Sequence, residues 1–392
     1  MTPDVAKQQM ASEVDARAAR LLSVSHQIHE NPELCFEEHA AHDILCTVLE
    51  DEGLEVERSA YDLDTAFVAR AGRGGPHIAV ICEYDALPEI GHACGHNVIA
   101  AAGLGAGLAA ATLADQLGGR VSIVGTPAEE GGGGKCYLLE RGAFEGVSAA
   151  MMVHPANHEL TTMTAIAVEQ LEVTYTGQSA HASAAPHKGH NALDGAVLGY
   201  MNVAALRQHI RPDERIHGIF TRAGDKPNIV PHDAAAEWYV RSPKLDSLAE
   251  LRERVVACLE AGATAAGVGI ECQCRAPIYA DMIDNQVVLD LYAQNAMSTG
   301  RVVSEPQSSH AVVGSTDMGN VSYAVPSIHP MIKVAPDHVP IHSPEFAHYA
   351  KSQSGDQAVL DGAKIMAMTV ADLWLDPEAL DRAADELGQS RQ

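Results

Sequence analysis

Positive charge is scarce in this chain: 26 Lys and Arg stand against 52 Asp and Glu, a formal net charge of −26 over 392 residues. That balance excludes nucleic acid and anionic membrane surfaces as natural partners, because both repel a strongly acidic protein. An anionic group on a small substrate would need a local positive centre, either a bound metal or one specific arginine. The first thirty residues, Met1 to Glu30, mix acidic and basic side chains and lack the apolar core of a signal peptide. No segment reads as long and apolar enough to span a bilayer, so the expected location is the cytoplasm. The eight cysteines show no CxxC pairing, which argues against a disulfide framework. Internal repeats and low-complexity tracts are absent. Two phosphate-binding patterns also fail. Around Gly131–Gly134 the first glycine position of GxxxxGK[ST] holds Glu129 and Cys136 follows Lys135, while Gly103, Gly105 and Gly107 miss GxGxxG.

What is present is an ordinary apolar fraction, 46%, in a chain long enough for two cores. Twenty histidines make a histidine-rich metal site plausible. The run His77-Ile78-Ala79-Val80-Ile81 has the β-branched weight of a buried strand. It leads into Cys82-Glu83-Tyr84-Asp85 and on to Gly91-His92-Ala93-Cys94-Gly95-His96-Asn97. A helix-like run of small residues, Val98 to Leu113, follows. Carboxylates, a thiol and imidazoles therefore sit where a strand passes to a helix, the place where α/β sheets build sites. Thiolate and imidazole are good donors to zinc-like ions. A second buried strand, Arg120 to Gly125, ends at Thr126-Pro127-Ala128-Glu129-Glu130, and a third, Ala149 to Val153, ends at His154. Adjacent carboxylates such as Glu129 and Glu130 repel unless a positive charge lies beside them. A metal resolves this if one carboxylate ligates and the other handles the proton of water. Taken singly, each motif has a plainer reading: a solvated acidic turn, a capped core histidine at His154, loop residues at His181 and His342, an Asx turn at Asn228.

Strand–helix alternation predicts an α/β fold with a mainly parallel sheet covered by helices. Helices are expected at Val5–Ile28, Glu37–Glu52, Tyr137–Arg141 and Ser354–Leu375, with a frayed end beyond. From Val168 the pattern changes to β-α-β-β-α-β, that of an inserted ferredoxin-like α+β domain. The expected division is 1–167 with 279–392 for a catalytic, metal-binding domain and 168–278 for a lid and dimerisation domain. The segments 310–320 and 327–342 read as rich in loops.

The stretches His29-Glu30-Asn31-Pro32-Glu33, Glu83 to Pro88, Gly91 to Asn97, Gly125 to Glu130, Met152 to Pro155, Ser179 to Ala182, Ser315 to Asn320 and His342-Ser343-Pro344 together resemble the M20 metallopeptidases and amidohydrolases. The likeness is to their cysteine-ligand branch, which holds aminobenzoyl-glutamate hydrolase subunits and aminoacylase-1-like dipeptidases. The eight stretches occur in the family's order across nearly the whole chain. The resemblance implies hydrolysis of an amide bond in a dipeptide or N-acyl amino acid by two divalent metals, zinc first, with manganese or cobalt as alternatives. It implies Cys94, His96, Glu130, His154 and His342 as ligands, Cys94 bridging, and Glu129 as general base. Asp85 would orient a ligand, His181 of the inserted domain would reach a neighbouring subunit's site, and Asn228 would contact a substrate carboxylate. Glu83 stands where other branches carry a histidine ligand and is not counted. The carboxylate-binding arginine has no clear match, Arg241 and Arg301 being candidates. A homodimer through the inserted domain is also implied. Two other readings stay open: Cys94 as a nucleophile with His96 or His92 as base, and a non-catalytic or regulatory chain that keeps the fold.

Overall fold

The computed structural model describes residues 1–306 and 313–391, so 310–312 of the expected loop at 310–320 lie outside the described residues. Two compact units emerge, one of Met1–Thr164 with Met282–Gln392 and one of Ala165–Asp281.

The first unit opens with α1 (Pro3–Ala16), α2 (Ala18–Glu30) and α3 (His39–Asp51). The single helix expected over Val5–Ile28 is thus two, broken at Arg17, whose φ of −102° and ψ of 3° leave the helical region. Strands β1 (Val56–Arg58), β2 (Phe67–Ala71) and β3 (His77–Glu83) lead to α4 (His96–Leu117), followed by β4 (Arg120–Thr126), α5 (Gly134–Glu140), β5 (Ala149–Met151), β6 (His154–Ala156) and the two-residue β7 (Thr164–Ala165). His154 therefore begins a separate short strand rather than ending the one before it.

The second unit runs β8 (Ala167–Thr176), α6 (Ala192–Leu206), β9 (Arg215–Arg222), β10 (Asp233–Ser242), α7 (Leu245–Ala266) and β11 (Gly269–Cys274). Its antiparallel sheet has the order β11-β8-β10-β9. With α6 and α7 packed on a core that includes Leu171, Val173, Trp238, Leu251 and Val255, this is a ferredoxin-like α+β sandwich.

The chain then adds α8 (Gln286–Ser298), β12 (Val313–Gly314), α9 (Met318–Ala324), β13 (Ser327–Ile328), β14 (Met331–Lys333), α10 (Pro344–Ala350), α11 (Gln353–Leu375) and α12 (Pro377–Ser390) to the first unit. The stretch expected to fray is helix α12, started by Asp376 capping the Ala379 N–H with Pro377 in the first turn, and burying Ala379, Leu380, Ala383 and Leu387.

The main sheet has the order β1-β2-β4-β3-β5-β13. The pairs β3–β4, β3–β5 and β5–β13 are parallel, and β1–β2 and β2–β4 antiparallel. The register sets Glu83 opposite Thr126, so the carboxyl ends of β3 and β4 lie level at one edge of the sheet.

Helix α4 corrects one expectation. Over its 22 residues it is long and apolar enough to cross a bilayer, yet 89% of its most apolar window is buried within the protein. It is the core helix of the first unit, packed on β3, β4 and α11. Its glycines allow close approach: a Cβ at Gly103 would lie 2.5 Å from the Ile81 carbonyl oxygen and 2.8 Å from Cys82 Sγ. Since backbone cannot yield as a side-chain tip can, Gly103→Ala should lower stability by about 1–3 kcal/mol, read as a fall in denaturation midpoint with unchanged slope. An unchanged midpoint would mean that α4 is free to shift off β3.

Candidate metal centre

The loop from β3 to α4 is folded back on itself by the reciprocal backbone bonds Leu87 N–H to Gly91 O (3.0 Å) and Gly91 N–H to Leu87 O (3.1 Å). It re-enters helix at Gly95, whose φ is +83°. A Cβ there would meet Pro155 Cγ at 2.5 Å, so both backbone conformation and space demand glycine. This turn sets Cys94 and His96 on either side of Gly95, against β6. After β4, Ala128 takes a φ of +59°, strained for a residue with a Cβ. The carboxylate of Glu38 accepts the Ala128 N–H at 2.8 Å and the Thr65 hydroxyl at 2.8 Å. Burial, then the nearby Asp85, push Glu38 up to about 7. The backbone N–H groups of Gly132, Gly133 and Gly134 turn back onto the Ala128 carbonyl. The glycine run is therefore satisfied internally, as the failed phosphate motif implies.

Four side chains meet at Cys94. His154 Nε2 lies 3.4 Å from Cys94 Sγ and His342 Nε2 3.3 Å from it, while His342 Nε2 is 3.4 Å from Glu130 Oε1. His96 Nε2 is 3.9 Å from Glu130 Oε1. Three overlapping triads have their donor atoms within 4.8 Å of one another: Cys94, His96 and His154; Cys94, Glu130 and His342; His96, Glu129 and Glu130. Cys94, His96 and Glu130 each belong to two of them, so the three triads form one continuous cluster. The triads draw on the β3–α4 loop, the β4–α5 loop, β6 and the residue two before α10, so residues 94 and 342 meet only in three dimensions. His342 takes a positive φ of 62° and is anchored by its N–H to the Ala93 carbonyl at 2.8 Å. Its side chain is 49% exposed, whereas Cys94, His96 and His154 are buried, so His342 marks the open side of the cluster.

Hydrogen bonds fix the donor atoms. Asp85 Oδ1 accepts His96 Nδ1–H at 2.9 Å and its Oδ2 accepts the Glu130 N–H at 2.8 Å. Burial raises the Asp85 carboxyl, but His96, the Glu130 amide and Lys135 outweigh it and hold the group at about 2. Cys35 Sγ is 3.5 Å from Asp85 Oδ2 and 3.3 Å from the Glu130 carbonyl. His154 Nδ1–H donates to the Pro155 carbonyl at 2.8 Å, leaving the Nε2 lone pair toward Cys94. Burial, then His329 and His96, hold His154 well below the usual imidazole range. A neutral imidazole is the ligand form. Burial, then Glu130, push both the Cys94 thiol and, together with Glu83 and Asp317, the Glu129 carboxyl well up. Both shifts mark a site short of positive charge.

The donor set fits a divalent cation. The buried His96 Nε2 and Glu130 Oε1 have no hydrogen-bond partner among the described residues, and orphaned atoms of this kind, in a group of one thiol, three imidazoles and two carboxylates, are what a cation satisfies. Sequence reasoning gave no role to the groups behind the cluster. Lys135, Glu83 and Asp317 form a buried ionic triad, and His329, the residue after β13, lies with its ring 5.3 Å from that of His154. The signal for His329 was a histidine directly beyond a strand, the same rule that singles out His154.

Arg301, one of two candidate arginines, is committed to Asp361 and Glu159, each at 2.9 Å. The remaining expected residues lie in the second unit. His181 is exposed and its Nδ1 accepts the N–H groups of Ser183 (3.3 Å) and Ala184 (3.2 Å), which places the ring proton on Nε2. The Asn228 carbonyl accepts the Ala182 N–H at 3.0 Å, so these two loops are neighbours. Arg241, on β10, lies over the Tyr239 ring at 5.6 Å.

A family model described as Peptidase family M20/M25/M40 matches residues 30–372. The chain is 36% identical to the Xaa-Arg dipeptidase of Mus musculus, covering 98% of this chain and 92% of that protein. It is 26% identical to one of the subunits of the p-aminobenzoyl-glutamate hydrolase of Escherichia coli K12, covering 95% and 93%. Among solved structures, an aminobenzoyl-glutamate utilization protein from Klebsiella pneumoniae superposes with a TM-score of 0.75 at 17% identity, covering 92% of this chain and 98% of that one. A dinuclear metal binding peptidase from Bacillus subtilis gives 0.64 at 21%, covering 88% and 98%.

Because Asp85 holds His96 by its Nδ1 proton, Asp85→Asn should weaken divalent-cation binding by about 10- to 100-fold, measured by competition with a chromophoric chelator. Unaltered affinity in the folded variant would remove Asp85 from that role.

Proposed function

The chain belongs to peptidase family M20/M25/M40, and from that premise we propose that it is a metal-dependent dipeptidase acting on an amide bond next to a free carboxylate, with a basic C-terminal residue preferred. The observation that carries the hydrolase reading is the convergence of Cys94, His96, Glu130, His154 and His342, with Glu129 beside them. The preference for a basic residue draws on the 36% identity to a Xaa-Arg dipeptidase and on the net charge of −26, which draws in cationic peptides.

The five donors Cys94, His96, Glu130, His154 and His342 would hold two divalent cations. Zinc is the proposed ion, since thiolate and imidazole suit it, and manganese and cobalt are the alternatives. When bound, such ions polarise a carbonyl and lower the pKa of bound water toward about 7. Glu129 takes the proton from water and returns it to the leaving amine. Asp85 keeps His96 in one tautomer, so its Nε2 faces the centre. By the family resemblance, His181 with its proton on Nε2 would act as donor to the developing oxyanion at a neighbouring subunit's site, and Asn228 and Arg241 are the candidate contacts to the substrate carboxylate. Cys94 as a nucleophile fits less well: its sulfur is buried and enclosed by metal-type donors rather than activated as an accessible thiolate. The likeness to the p-aminobenzoyl-glutamate hydrolase of Escherichia coli K12 supports a second reading, in which the chain cleaves an aroyl-glutamate while paired with a different partner chain. Eight cysteines without a disulfide fit a reducing compartment, the cytoplasm.

The proposed assembly is a homodimer through the second unit. Strand β9 is an edge strand with Ile219 65% exposed, and α6 presents Leu198 and Met201, the latter 60% exposed. Exposed apolar edges of this kind call for a partner.

Glu129→Gln should retain its metal content and lose at least about 10²-fold in kcat, assayed on Xaa-Arg and Xaa-Lys dipeptides, N-acyl amino acids and aminobenzoyl-glutamate. A variant that keeps both metals and full kcat would refute the base assignment, and wild-type activity that survives a chelator would refute the metal mechanism. Ile219→Asp should halve the mass seen by light scattering at micromolar concentration. A monomeric wild type would refute the dimer.

A further inference from the structure

Lys135 is fully buried, and so are the two carboxylates that enclose it. Its ammonium pairs with Glu83 Oε1 and donates to Asp317 Oδ1 at 2.7 Å, and its backbone N–H donates to Asp317 Oδ2 at 2.9 Å. The lysine cannot drift from this place. It is the second residue of α5, and a Cβ on the preceding Gly134 would lie 1.9 Å from the Pro127 carbonyl oxygen, so the start of the helix is pressed against the loop that carries Glu129 and Glu130. The other oxygen of Glu83 turns toward the metal cluster, with Oε2 3.7 Å from His96 Nε2, the donor atom that has no hydrogen-bond partner among the described residues. Glu83 is thus one short movement from joining His96 on a cation. What opposes that movement is the lysine holding its other oxygen.

We propose that Lys135 is a positioning residue: a fixed internal cation behind the metal centre that engages Glu83, keeps this carboxylate from becoming an additional ligand, and limits the negative charge the metals experience. The inference rests on the reading of the cluster as a metal pair. It gives an effect of unusual sign. Glu83, Asp317 and Lys135 sum to −1; without the lysine charge they sum to −2. More negative charge beside the centre binds divalent cations more tightly, and an added anionic donor makes the bound ions poorer at polarising a carbonyl. Mere structural damage at a buried site would instead loosen the metals.

The test uses the full chain reconstituted with zinc, with affinity read by chelator competition and stoichiometry by elemental analysis, alongside kcat and KM. Lys135→Met should bind zinc at least about tenfold more tightly, as a unit charge change in a partly screened interior gives, while kcat falls about tenfold or more. Glu83→Gln, which keeps the lysine and brings the sum to 0, should shift zinc affinity the other way by a similar factor. The double variant Glu83→Gln with Lys135→Met restores −1 and should return affinity to within about threefold of wild type, because the two opposite unit-charge changes cancel. Should Lys135→Met fail to fold, Glu83→Gln and the double variant decide the matter on their own. The proposal is overturned if folded Lys135→Met binds zinc no more tightly than wild type, if Glu83→Gln leaves affinity unchanged, or if the double variant does not recover. A wild-type chain that takes up no metal would overturn the hydrolase reading itself, a separate outcome.

Discussion

A carboxylate withdrawn from water costs several kcal/mol unless cations or hydrogen-bond donors meet it. This chain withdraws a group of them into one place. Glu83, Asp85, Glu129 and Asp317 are buried, with Glu130 nearly so, and Cys94 sits among them. Each is accommodated differently. Asp85 is met by His96 and the Glu130 amide. Glu83 and Asp317 are met by the single ammonium of Lys135. Cys94 and Glu130 instead have the imidazoles of His154 and His342 near them, the donor types that a divalent cation would join. The ammonium of Lys135 is thus a permanent internal cation behind the groups that would hold exchangeable ones.

That separation depends on close packing rather than on the ionic groups alone. Gly103 lets α4 lie against β3, Gly95 lets the Cys94 turn lie against β6, and Gly134 lets α5 lie against the loop bearing the paired glutamates. Ala128 is held in a left-handed conformation by Glu38, so the direction in which Glu129 and Glu130 leave β4 is enforced by a buried carboxylate one layer away. The frame resists small shifts because the contacts at Gly103 and Gly134 are to backbone and that at Gly95 is to a rigid proline ring, none with much room to yield. Preorganisation of this kind is what a metal hydrolase needs, since the donors must already be in place when the ions and water arrive.

Much of the site was readable from one rule, that side chains just beyond the ends of buried parallel strands point at a common edge. It singled out Asp85, Cys94 and His96 after β3, Glu129 and Glu130 after β4, and His154 after β5. His342 lay in no such place and entered only through the resemblance of its Ile341-His342-Ser343 neighbourhood to a family. Lys135 and His329 were missed for opposite reasons. A lysine after four glycines looks like a solvated or phosphate-binding residue until Asp317 is brought beside it from far along the chain. His329 follows a strand of only two residues, too short to announce itself by periodicity. Helix α4 is the tightly packed helix that its small residues imply, although its length and hydropathy would equally describe a membrane span.

Local order by itself determined the alternation of strands and helices, the inserted β-α-β-β-α-β segment, and which residue types stand at the strand ends, because these depend on periods of two and 3.6 residues and on glycine and proline within a few positions. Tertiary structure alone decided that residues 94, 130, 154 and 342 face one another, that Lys135 pairs with Glu83 and Asp317, and that the glycine amides are already occupied. Those outcomes depend on register and on contacts between residues far apart in the chain, as with Cys94 and His342, which are 248 positions apart. Only the folded chain brings such distant groups within the few ångströms over which hydrogen bonds and ion pairs act.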